Sequence, residues 1–262
     1  HSHVMPPRNT RHGGQHMTVY LVGAGPGDPE LLTVRAARLI AQAAVIVHDR
    51  LADQAILDLA PVGVELIDVG KKPGRPTPQE MINTLLVHLG SQGLNVVRLK
   101  GGDPYVFGRG GEEAQALIDA DIAFDVVPGI SSAIGVPAAA GIPVTHRGVS
   151  VGFTVVTGHR EKGGATGIDW ESLAKVGGTI VVLMGVSERA VIAERLMAGG
   201  LAADTPVAAV RYGTRPEQNT LRTTLGELAE APLESPSTIV IGAVAAFDFS
   251  PTAGTSVWAR GV

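Results

Sequence analysis

The residues best suited to chemistry are concentrated at positions 99–113, which read LKGGDPYVFGRGGEE. The glycines permit positive φ angles and close approach of the backbone to a ligand, and Pro104 ends the preceding strand because it lacks an N–H. Asp103 offers two acceptor oxygens that suit a hydroxyl pair such as that of a ribose. Arg109 offers a planar charged fork that suits a carboxylate. This segment, the 101–113 loop, is therefore predicted to hold one neutral polar group and one anion.

A second glycine-rich segment, GAGPGDP at residues 23–29, follows the first predicted strand, and Asp49 follows Gly23 by 26 residues. Together they imitate a dinucleotide-binding fingerprint, which suggests an NAD-dependent oxidoreductase. Asp28, however, replaces the third glycine and would repel a pyrophosphate, while Pro26 and Pro29 remove two N–H donors from the phosphate cradle. A tight β–α turn with no ligand explains the glycines but not the prolines. The dinucleotide interpretation is therefore the weaker one.

Composition limits the possible classes. The 262 residues are 45% hydrophobic and 18% charged, which is typical of a globular protein with a sizeable core. The chain has no cysteine, which excludes disulfides and fits a reducing, cytoplasmic location. Its net charge of −4 argues against nucleic-acid binding, and it has no apolar run long enough for a membrane span. His146 and His159 lack the spacing of metal ligands, so no metal is expected.

The elements that position these residues follow from the hydrophobic pattern. Short apolar runs alternate with helical patterns in the first half, which predicts a largely parallel α/β sheet. The predicted strands are 19–22, 45–47, 64–69, 96–99 and 124–127, and the predicted helices are 29–44, 79–89 and 111–120. In the second half, the strands 153–156, 179–184, 207–210 and 238–242 and the helices 170–175 and 189–198 predict a second α/β domain with a mixed sheet.

The domain boundaries are expected at a Pro-Gly hinge and at the two ends of the chain. Residues 17–128 and 129–250 form the two predicted domains, since Val127-Pro128-Gly129 is typical of a hinge. Residues 1–16 are polar and His-rich without an apolar core, which indicates a disordered extension or a remnant of cloning rather than a signal peptide. Residues 251–262 form a tail.

Six motifs in fixed order resemble the tetrapyrrole (class III) methyltransferases. They are GAGPGDP (23–29), VHDRL (47–51), VGK (69–71), the 101–113 loop, VPGISSA (127–133) and GIPVTHR (141–147). The resemblance covers roughly residues 18–249. It implies two α/β domains with a cleft between them, a fold distinct from the Rossmann methyltransferases, and a homodimer. Some members carry an additional dehydrogenase–ferrochelatase module, for which this sequence has no room.

The resemblance also implies a cofactor, S-adenosyl-L-methionine, which leaves as S-adenosyl-L-homocysteine. The positions that match cofactor-binding residues of the family are Pro26, Gly101, Gly102, Asp103, Val106, Ser131, Ser132, Met184 and Gly213. Two of these depart from the family pattern. Val106 stands where isoleucine is common, and the pair Ser131-Ser132 stands where Thr-Ala is common. Both changes keep the apolar, backbone or hydroxyl character of the contact.

The activity that the resemblance implies is C-methylation of uroporphyrinogen III at C2 and C7, giving precorrin-2 for sirohaem or cobalamin synthesis or both. An electron-rich pyrrole attacks the methyl group as an enamine, and a proton must then leave a bridging carbon. Asp49 matches a proton acceptor and Lys71 a proton donor. A purely local pairing of Asp49 with Arg50 would instead give this aspartate no role in the reaction. The same motifs also fit a methyltransferase for a later precorrin or a non-catalytic tetrapyrrole-binding protein.

The implied substrate carries eight carboxylates, so a site for it requires concentrated positive charge. Residues 70–110 contain six Lys and Arg against two acids, whereas residues 111–125 contain five acids and no Lys or Arg. Such segregation would focus an anion into a cleft, unless these residues form only a solvated charged face. The residues predicted to bind substrate, because they stand in loops or at strand ends, are Arg50, Arg109, His146 and Arg147.

Overall fold

The computed structural model describes residues 18–49, 53–70, 77–159 and 167–250. Within these ranges the strands form two sheets of five strands each, and helices pack against both. The predicted extension 1–16 and tail 251–262 lie outside the described residues. No helix in the described part of the chain has the length and apolar character needed to cross a membrane.

The first sheet is entirely parallel over the described strands, as the alternation of elements predicted. Its order is β3-β2-β4-β1-β5. The strands are β1 (Val19–Gly23), β2 (Val45–His48), β3 (Glu65–Asp68), β4 (Val96–Lys100) and β5 (Phe124–Val127), and the helices are α1 (Val34–Ile40), α2 (Gln54–Leu57), α3 (Gln79–Ser91) and α4 (Gly110–Asp119). Each face carries its own apolar core, one around Leu21, Leu86 and Leu117 and the other around Ile40 and Ile46.

The second sheet is mixed, as predicted. Its order is β6-β7-β10-β8-β9, with β6 and β7 parallel and the other neighbours antiparallel. The elements are α5 (Ser132–Ala139), β6 (Phe153–Thr157), α6 (Trp170–Val176), β7 (Thr179–Leu183), α7 (Arg189–Ala198), β8 (Pro206–Arg211), β9 (Asn219–Thr224) and β10 (Ser237–Ile241).

Four elements differ from the sequence prediction. The helix α2 was missed because its four residues are too few to show a helical period. The single helix predicted over 29–44 is wrong: a 3-10 turn at Pro29–Leu31 is followed by α1, because Thr33 caps a new helix with its hydroxyl. The strand β9 was missed because its sequence, NTLRTT, is polar and lies at the sheet edge. The helix α5 was missed because Gly135 and Pro137 stand inside it.

The helix α5 connects the two sheets. Its residues Val136 and Ala140 share a buried cluster with Ala208 and Val240 of the second sheet. Its other side meets the loop after β1, where a methyl group added at Gly135 would lie 3.0 Å from Pro26 Cγ. The first sheet ends with β5, directly before the Pro-Gly pair at which the domain division is proposed.

Candidate active site

The loops that follow β1 and β4 lie against each other at the carboxyl edge of the first sheet. Gly25 N donates to Gly102 O at 3.1 Å, and Gly102 N donates to Gly25 O at 2.7 Å. A third backbone bond runs from Ala24 N to Lys100 O at 2.7 Å. The motif at residues 23–29 and the 101–113 loop are therefore hydrogen-bonded to each other. They lie at the edge where open α/β sheets bind ligands.

Three glycines allow the loops after β1, β4 and β5 to approach backbone to backbone. A methyl group at Gly23 would lie 2.5 Å from Gly129 N, and one at Gly129 would overlap Gly102 O. Gly102 also has a φ of 63°, which favours glycine. In contrast, a methyl group at Gly101 would meet nothing within 4 Å. Gly101 therefore presents open backbone at a junction where the other glycines are tightly packed.

Asp103 ties the loop after β4 to the loop after β5. Its Oδ1 accepts a hydrogen bond from Tyr105 N at 2.9 Å, and its Oδ2 accepts one from Gly129 N at 3.1 Å. The residue is half-buried, and each carboxylate oxygen keeps a second lone pair for a ligand hydroxyl. The predicted ribose contact is thus compatible with the structure, which adds a second role: the carboxylate holds the two loops in place.

The predicted cofactor residues Ser131 and Ser132 begin α5 beside the same junction. Ser131 is buried, and its Oγ caps the helix by accepting a hydrogen bond from Ala133 N at 3.2 Å. A methyl group at Gly102 would lie 3.5 Å from Ser131 Cα and 3.6 Å from Ser132 N. The structure therefore brings both serines to the 101–113 loop.

Gly213, after β8, reaches this junction through α5. A methyl group at Gly213 would overlap Val136 Cγ1, so the residue is packed against the helix that also contacts Pro26. The next residue, Thr214, accepts a hydrogen bond through Oγ1 from Asp28 N at 3.1 Å. Loops from both sheets thus meet around α5. The predicted cofactor residues gathered there, called the α5 group below, are Pro26, Gly101, Gly102, Asp103, Ser131, Ser132 and Gly213.

Backbone strain is concentrated in the loops with predicted site residues. Six non-glycine residues in the described ranges have positive φ, and five of them lie in these loops: Phe107, Arg109, Met184, Tyr212 and Thr214. Such conformations cost energy and are common at ligand-binding sites. Met184, with a φ of 54°, directly follows β7 and is 52% exposed. Its thioether is therefore displayed at a strand end instead of packing in a core.

Asp49 is held by a buried arginine. Arg98 Nη2 donates to Asp49 Oδ1 at 2.8 Å, and Arg98 Nε donates to Glu113 Oε1 at 3.0 Å. The side chains of Arg98 and Glu113 are 2% and 0% exposed, whereas that of Asp49 is 39% exposed. Arg98 lies on β4 opposite Val47 of β2, so Asp49 continues the face of the sheet on which Arg98 projects. The described part of the chain therefore shows a distant partner for Asp49. Arg50, the local partner named in the sequence prediction, lies outside it.

Lys100 completes this cluster from the same face of β4. Its Nζ donates to Glu113 Oε1 at 2.8 Å, and its side chain is 3% exposed. Burial lowers the pKa of Lys100, and the neighbouring charge of Arg98 lowers it further, while the Glu113 carboxylate opposes both effects. Glu113 Oε1 also accepts from Gln79 Nε2 at 3.3 Å. The strand β4, the residue after β2 and the helices α3 and α4 are thus joined beneath the carboxyl edge of the first sheet.

Ion pairs reduce the positive charge available to a ligand among the described residues of 70–110, while Lys71, Lys72 and Arg75 lie outside the described part of the chain. Two of the six cations in residues 70–110, Arg98 and Lys100, are buried on Glu113 and not available to a ligand. Arg109 is paired with Glu112 through two hydrogen bonds of 2.8 Å, and the Arg109 guanidinium lowers the pKa of Glu112. Glu113 therefore meets cations of the preceding segment because α4 packs back onto β4, whereas Glu112 pairs locally with Arg109.

The remaining predicted substrate residues are placed as follows. His146 Nδ1 lies 2.9 Å from Arg147 O, and the imidazole ring packs edge-on against Phe247 at 5.1 Å between centroids. Both His146 and Arg147 are exposed. Val106, a predicted cofactor residue, is 36% exposed in the 101–113 loop. Lys71 and Arg50 lie outside the described residues. Among the residues described, no cluster of His, Asp and Glu could hold a metal ion.

Sequence reasoning missed Glu113 as a structural residue of the site. It was counted only as one acid among five, although it is the most deeply buried of them. A signal was present in β4, whose sequence VVRLK places Arg98 and Lys100 on one face of an otherwise apolar strand. Two cations on a buried face require a buried acid. Only the packing of α4 shows which acid that is.

Comparisons with known proteins show the following similarities. Residues 18–229 match the family described as Tetrapyrrole (Corrin/Porphyrin) Methylases. The chain is 54% identical over 237 residues to an S-adenosyl-L-methionine-dependent uroporphyrinogen III methyltransferase of Methanosarcina barkeri, covering 88% of this chain and 93% of that protein. It also resembles the crystal structure of a Thermus thermophilus uroporphyrin-III C-methyl transferase complexed with S-adenyl homocysteine, with a TM-score of 0.76, 41% identity and coverage of 87% and 92%. A cobalt precorrin-4 methyltransferase has a TM-score of 0.78 at 26% identity, with coverage of 90% and 99%.

Proposed function

The chain belongs to the tetrapyrrole (corrin/porphyrin) methylases, and from this we propose that it is a uroporphyrinogen-III C-methyltransferase. It transfers methyl groups from S-adenosyl-L-methionine to C2 and C7 of uroporphyrinogen III and gives precorrin-2, for sirohaem or cobalamin synthesis or both. The observation that carries the proposal is the 54% identity to a relative named for this substrate, over nearly its whole length. The precorrin-4 enzyme shares the fold but only 26% of its residues, which favours the earlier substrate.

The residues of the α5 group fit the proposed cofactor. The open backbone at Gly101 leaves room for a ligand, and the lone pairs of Asp103 suit the ribose hydroxyls of an adenosine. Ser131 and Ser132 supply hydroxyl and backbone groups beside Gly102. Met184 offers an exposed, polarizable thioether. By contrast, the strand order β3-β2-β4-β1-β5 and the 3-10 turn after the 23–29 loop depart from the fold that binds NAD.

When bound, S-adenosyl-L-methionine would supply a methyl group on a sulfonium sulfur, open to in-line attack by a carbon nucleophile, with S-adenosyl-L-homocysteine as the leaving thioether. The task of the protein is then to hold the two partners in contact, because orientation lowers the barrier of such a displacement. In our proposal Asp49 takes the proton that leaves the bridging carbon after methylation. The C–H electron pair stays on the ring and cancels its positive charge, and an O–H bond forms on the carboxylate. Lys71 is the proposed proton donor.

The proposed substrate contacts are Arg50, Arg109, His146 and Arg147, each toward a carboxylate. For Arg109 the structure adds a condition. Both Nε and Nη2 of Arg109 donate to the Glu112 carboxylate. To bind a substrate carboxylate, the guanidinium must therefore give up at least one of these bonds or share its donors between the two carboxylates. Exposure of both side chains, 57% and 52%, makes this exchange inexpensive. We extend the proposal to a cytoplasmic homodimer, and analytical sedimentation of the purified protein tests its dimeric state.

The test is an anaerobic incubation of the purified protein with S-adenosyl-L-methionine and uroporphyrinogen III. We expect a product heavier by two methyl groups, two equivalents of S-adenosyl-L-homocysteine, and NMR signals that place the methyl groups on C2 and C7. No methylated product would contradict the proposal, and methylation of a later precorrin alone would favour an enzyme for that substrate. Tetrapyrrole binding without turnover would indicate a non-catalytic binding protein.

Calorimetry provides the control for the cofactor. S-adenosyl-L-homocysteine should bind to the free protein, and NAD should not. The reverse result would restore the dinucleotide interpretation of the 23–29 loop.

A further inference from the structure

Arg98 is the largest fully buried side chain of the described residues, and its position needs an explanation. A guanidinium taken out of water is stable only if acids and carbonyls satisfy its donors. Its Nε donates to Glu113, its Nη1 to Leu99 O at 3.2 Å, and its Nη2 to Asp49. Every nitrogen of the guanidinium therefore donates a hydrogen bond. The three acceptors lie on α4, on β4 itself and directly after β2.

The two acids on this fork differ in their surroundings. Glu113 is 0% exposed and is also bound by Lys100, so it serves as the buried anchor. Asp49 is 39% exposed at the carboxyl edge of the first sheet. Within the described ranges, its Oδ2 carries no hydrogen bond, while Oδ1 is fixed by Arg98. One oxygen is thus anchored by Arg98, and the other lies without a hydrogen bond from the described residues on a partly exposed side chain.

We propose that Arg98 is a positioning residue for Asp49: the Glu113-anchored guanidinium fixes one carboxylate oxygen so that the other receives the substrate proton. The proposal rests on the proposed function, in which Asp49 is the proton acceptor. Arginine suits this task because its rigid planar fork joins two carboxylates at defined angles, which the single ammonium group of lysine does not. A base held this way loses no free energy in reorienting during proton transfer.

A double-mutant cycle on kcat tests the proposal, using the full chain with S-adenosyl-L-methionine and uroporphyrinogen III. Arg98→Lys keeps the buried positive charge but removes the fork. We expect kcat to fall about tenfold or more, as for a displaced acid–base group, with KM and the affinity for S-adenosyl-L-homocysteine unchanged within about twofold. In an Asp49→Asn background, the same Arg98→Lys change should alter kcat less than about threefold, since the group that Arg98 positions is already inactive.

The outcomes separate this inference from the proposed function. If the two losses multiply in the double variant, Arg98 does not act through Asp49 and the inference is overturned, while the methyltransferase function stands. If Asp49→Asn alone leaves kcat unchanged, both the positioning role of Arg98 and the acid–base role of Asp49 are wrong. Wild-type protein without methylated product would overturn the function itself.

Two variants guard against trivial explanations. Arg35→Lys makes the same substitution in the exposed pair Arg35–Asp125 and should leave kcat unchanged. If Arg98→Lys does not fold, Arg98→Gln replaces it in the cycle, because glutamine is neutral and can still donate one hydrogen bond from this position. Melting temperatures of all variants, compared with their kcat, show whether a loss of activity follows a loss of folded protein.

Discussion

Replacing Glu113 by glutamine would remove the negative charge that Arg98 and Lys100 share beneath the carboxyl edge of the first sheet. The substitution hardly changes the volume of the side chain, and the amide oxygen can keep the bonds of 3.0 and 2.8 Å from Arg98 Nε and Lys100 Nζ. The amide nitrogen replaces Oε2, which is buried and has no partner among the described residues. The perturbation therefore removes the charge and also buries an NH2 group that has no acceptor among the described residues.

The expected magnitude follows from these contacts. Removing one partner of a buried ion pair outright costs about 3–5 kcal/mol. Here the hydrogen bonds are retained and Arg98 keeps Asp49, so we expect a loss of about 2–3 kcal/mol in the free energy of unfolding. At about 2–4 °C per kcal/mol for a chain of this size, the melting temperature should fall by about 4–12 °C. Glu112→Gln, in the exposed neighbouring pair with Arg109, should cost less than about 1 kcal/mol.

The free energy of unfolding that Glu113→Gln loses should also depend on pH, because the substitution changes the pKa of Lys100. Burial lowers the pKa of Lys100, so the unfolded chain binds its proton more tightly, and stability rises with pH from the folded pKa up to the ordinary value of about 10.4. Glu113 opposes this lowering. In Glu113→Gln the pKa of Lys100 in the folded protein falls further. The stability of this variant therefore begins to rise at a lower pH than that of wild type. The difference from wild type should therefore shrink between about pH 7 and pH 9.5.

Urea unfolding of wild type, Glu113→Gln and Glu112→Gln at both pH values measures these differences directly, with equal slopes as the check on two-state unfolding. A Glu113→Gln protein as stable as Glu112→Gln at neutral pH would refute the buried charge cluster. A difference from wild type that grows with pH would refute the assignment to Lys100.

The remaining predictions concern the loops. Gly129→Ala should lower the melting temperature by several degrees and abolish S-adenosyl-L-homocysteine binding, because the added methyl group would overlap the backbone oxygen of Gly102. The control is Gly111→Ala, at an open helical position, which should melt no lower than wild type. Gly101→Ala should keep the melting temperature but weaken S-adenosyl-L-homocysteine in calorimetry by about tenfold or more, and unchanged affinity would remove this residue from the cofactor site. Asp103→Asn should weaken the same ligand about tenfold or more, since one charge-assisted backbone bond is lost; equal affinity would refute the ribose contact. Arg109→Ala should raise KM for uroporphyrinogen III more than Kd for the cofactor product, and the opposite pattern would exclude it from substrate binding.

Much of the fold was accessible from the sequence because its signals are local. Short, mainly apolar runs of three to six residues predicted the strands of the first sheet, and the pattern of residues 189–198 predicted α7 at its observed ends. The motif 101–113 correctly indicated a loop after a buried strand. The failures occurred where local signals were weak or mixed: the four-residue helix α2, the polar edge strand β9, the Gly- and Pro-containing α5, and the interrupted helix after Pro29.

The candidate site was predicted as a set of residues but not as an arrangement. The family resemblance named Pro26, Asp103, Ser131 and Gly213 together, although they are far apart in the chain, and the structure shows how α5 and the 101–113 loop join them. For the charges the sequence was misleading, because a count along the chain treated buried and exposed cations alike. Arg98 entered that count as a cation for substrate, whereas it lies under the sheet edge.

By itself, the sequence predicted the two α/β halves, since apolar runs and helical periods are local signals, and the resemblance carried by its six motifs implied the class of cofactor. Only the tertiary structure decided which charges meet. Glu113 lies 15 residues from Arg98, and Asp49 lies 49 residues from it, yet the three form one cluster. Ion pairing depends on which face of β4 packs against α4 and which strand lies beside it, and those contacts exist only once the sheet has formed.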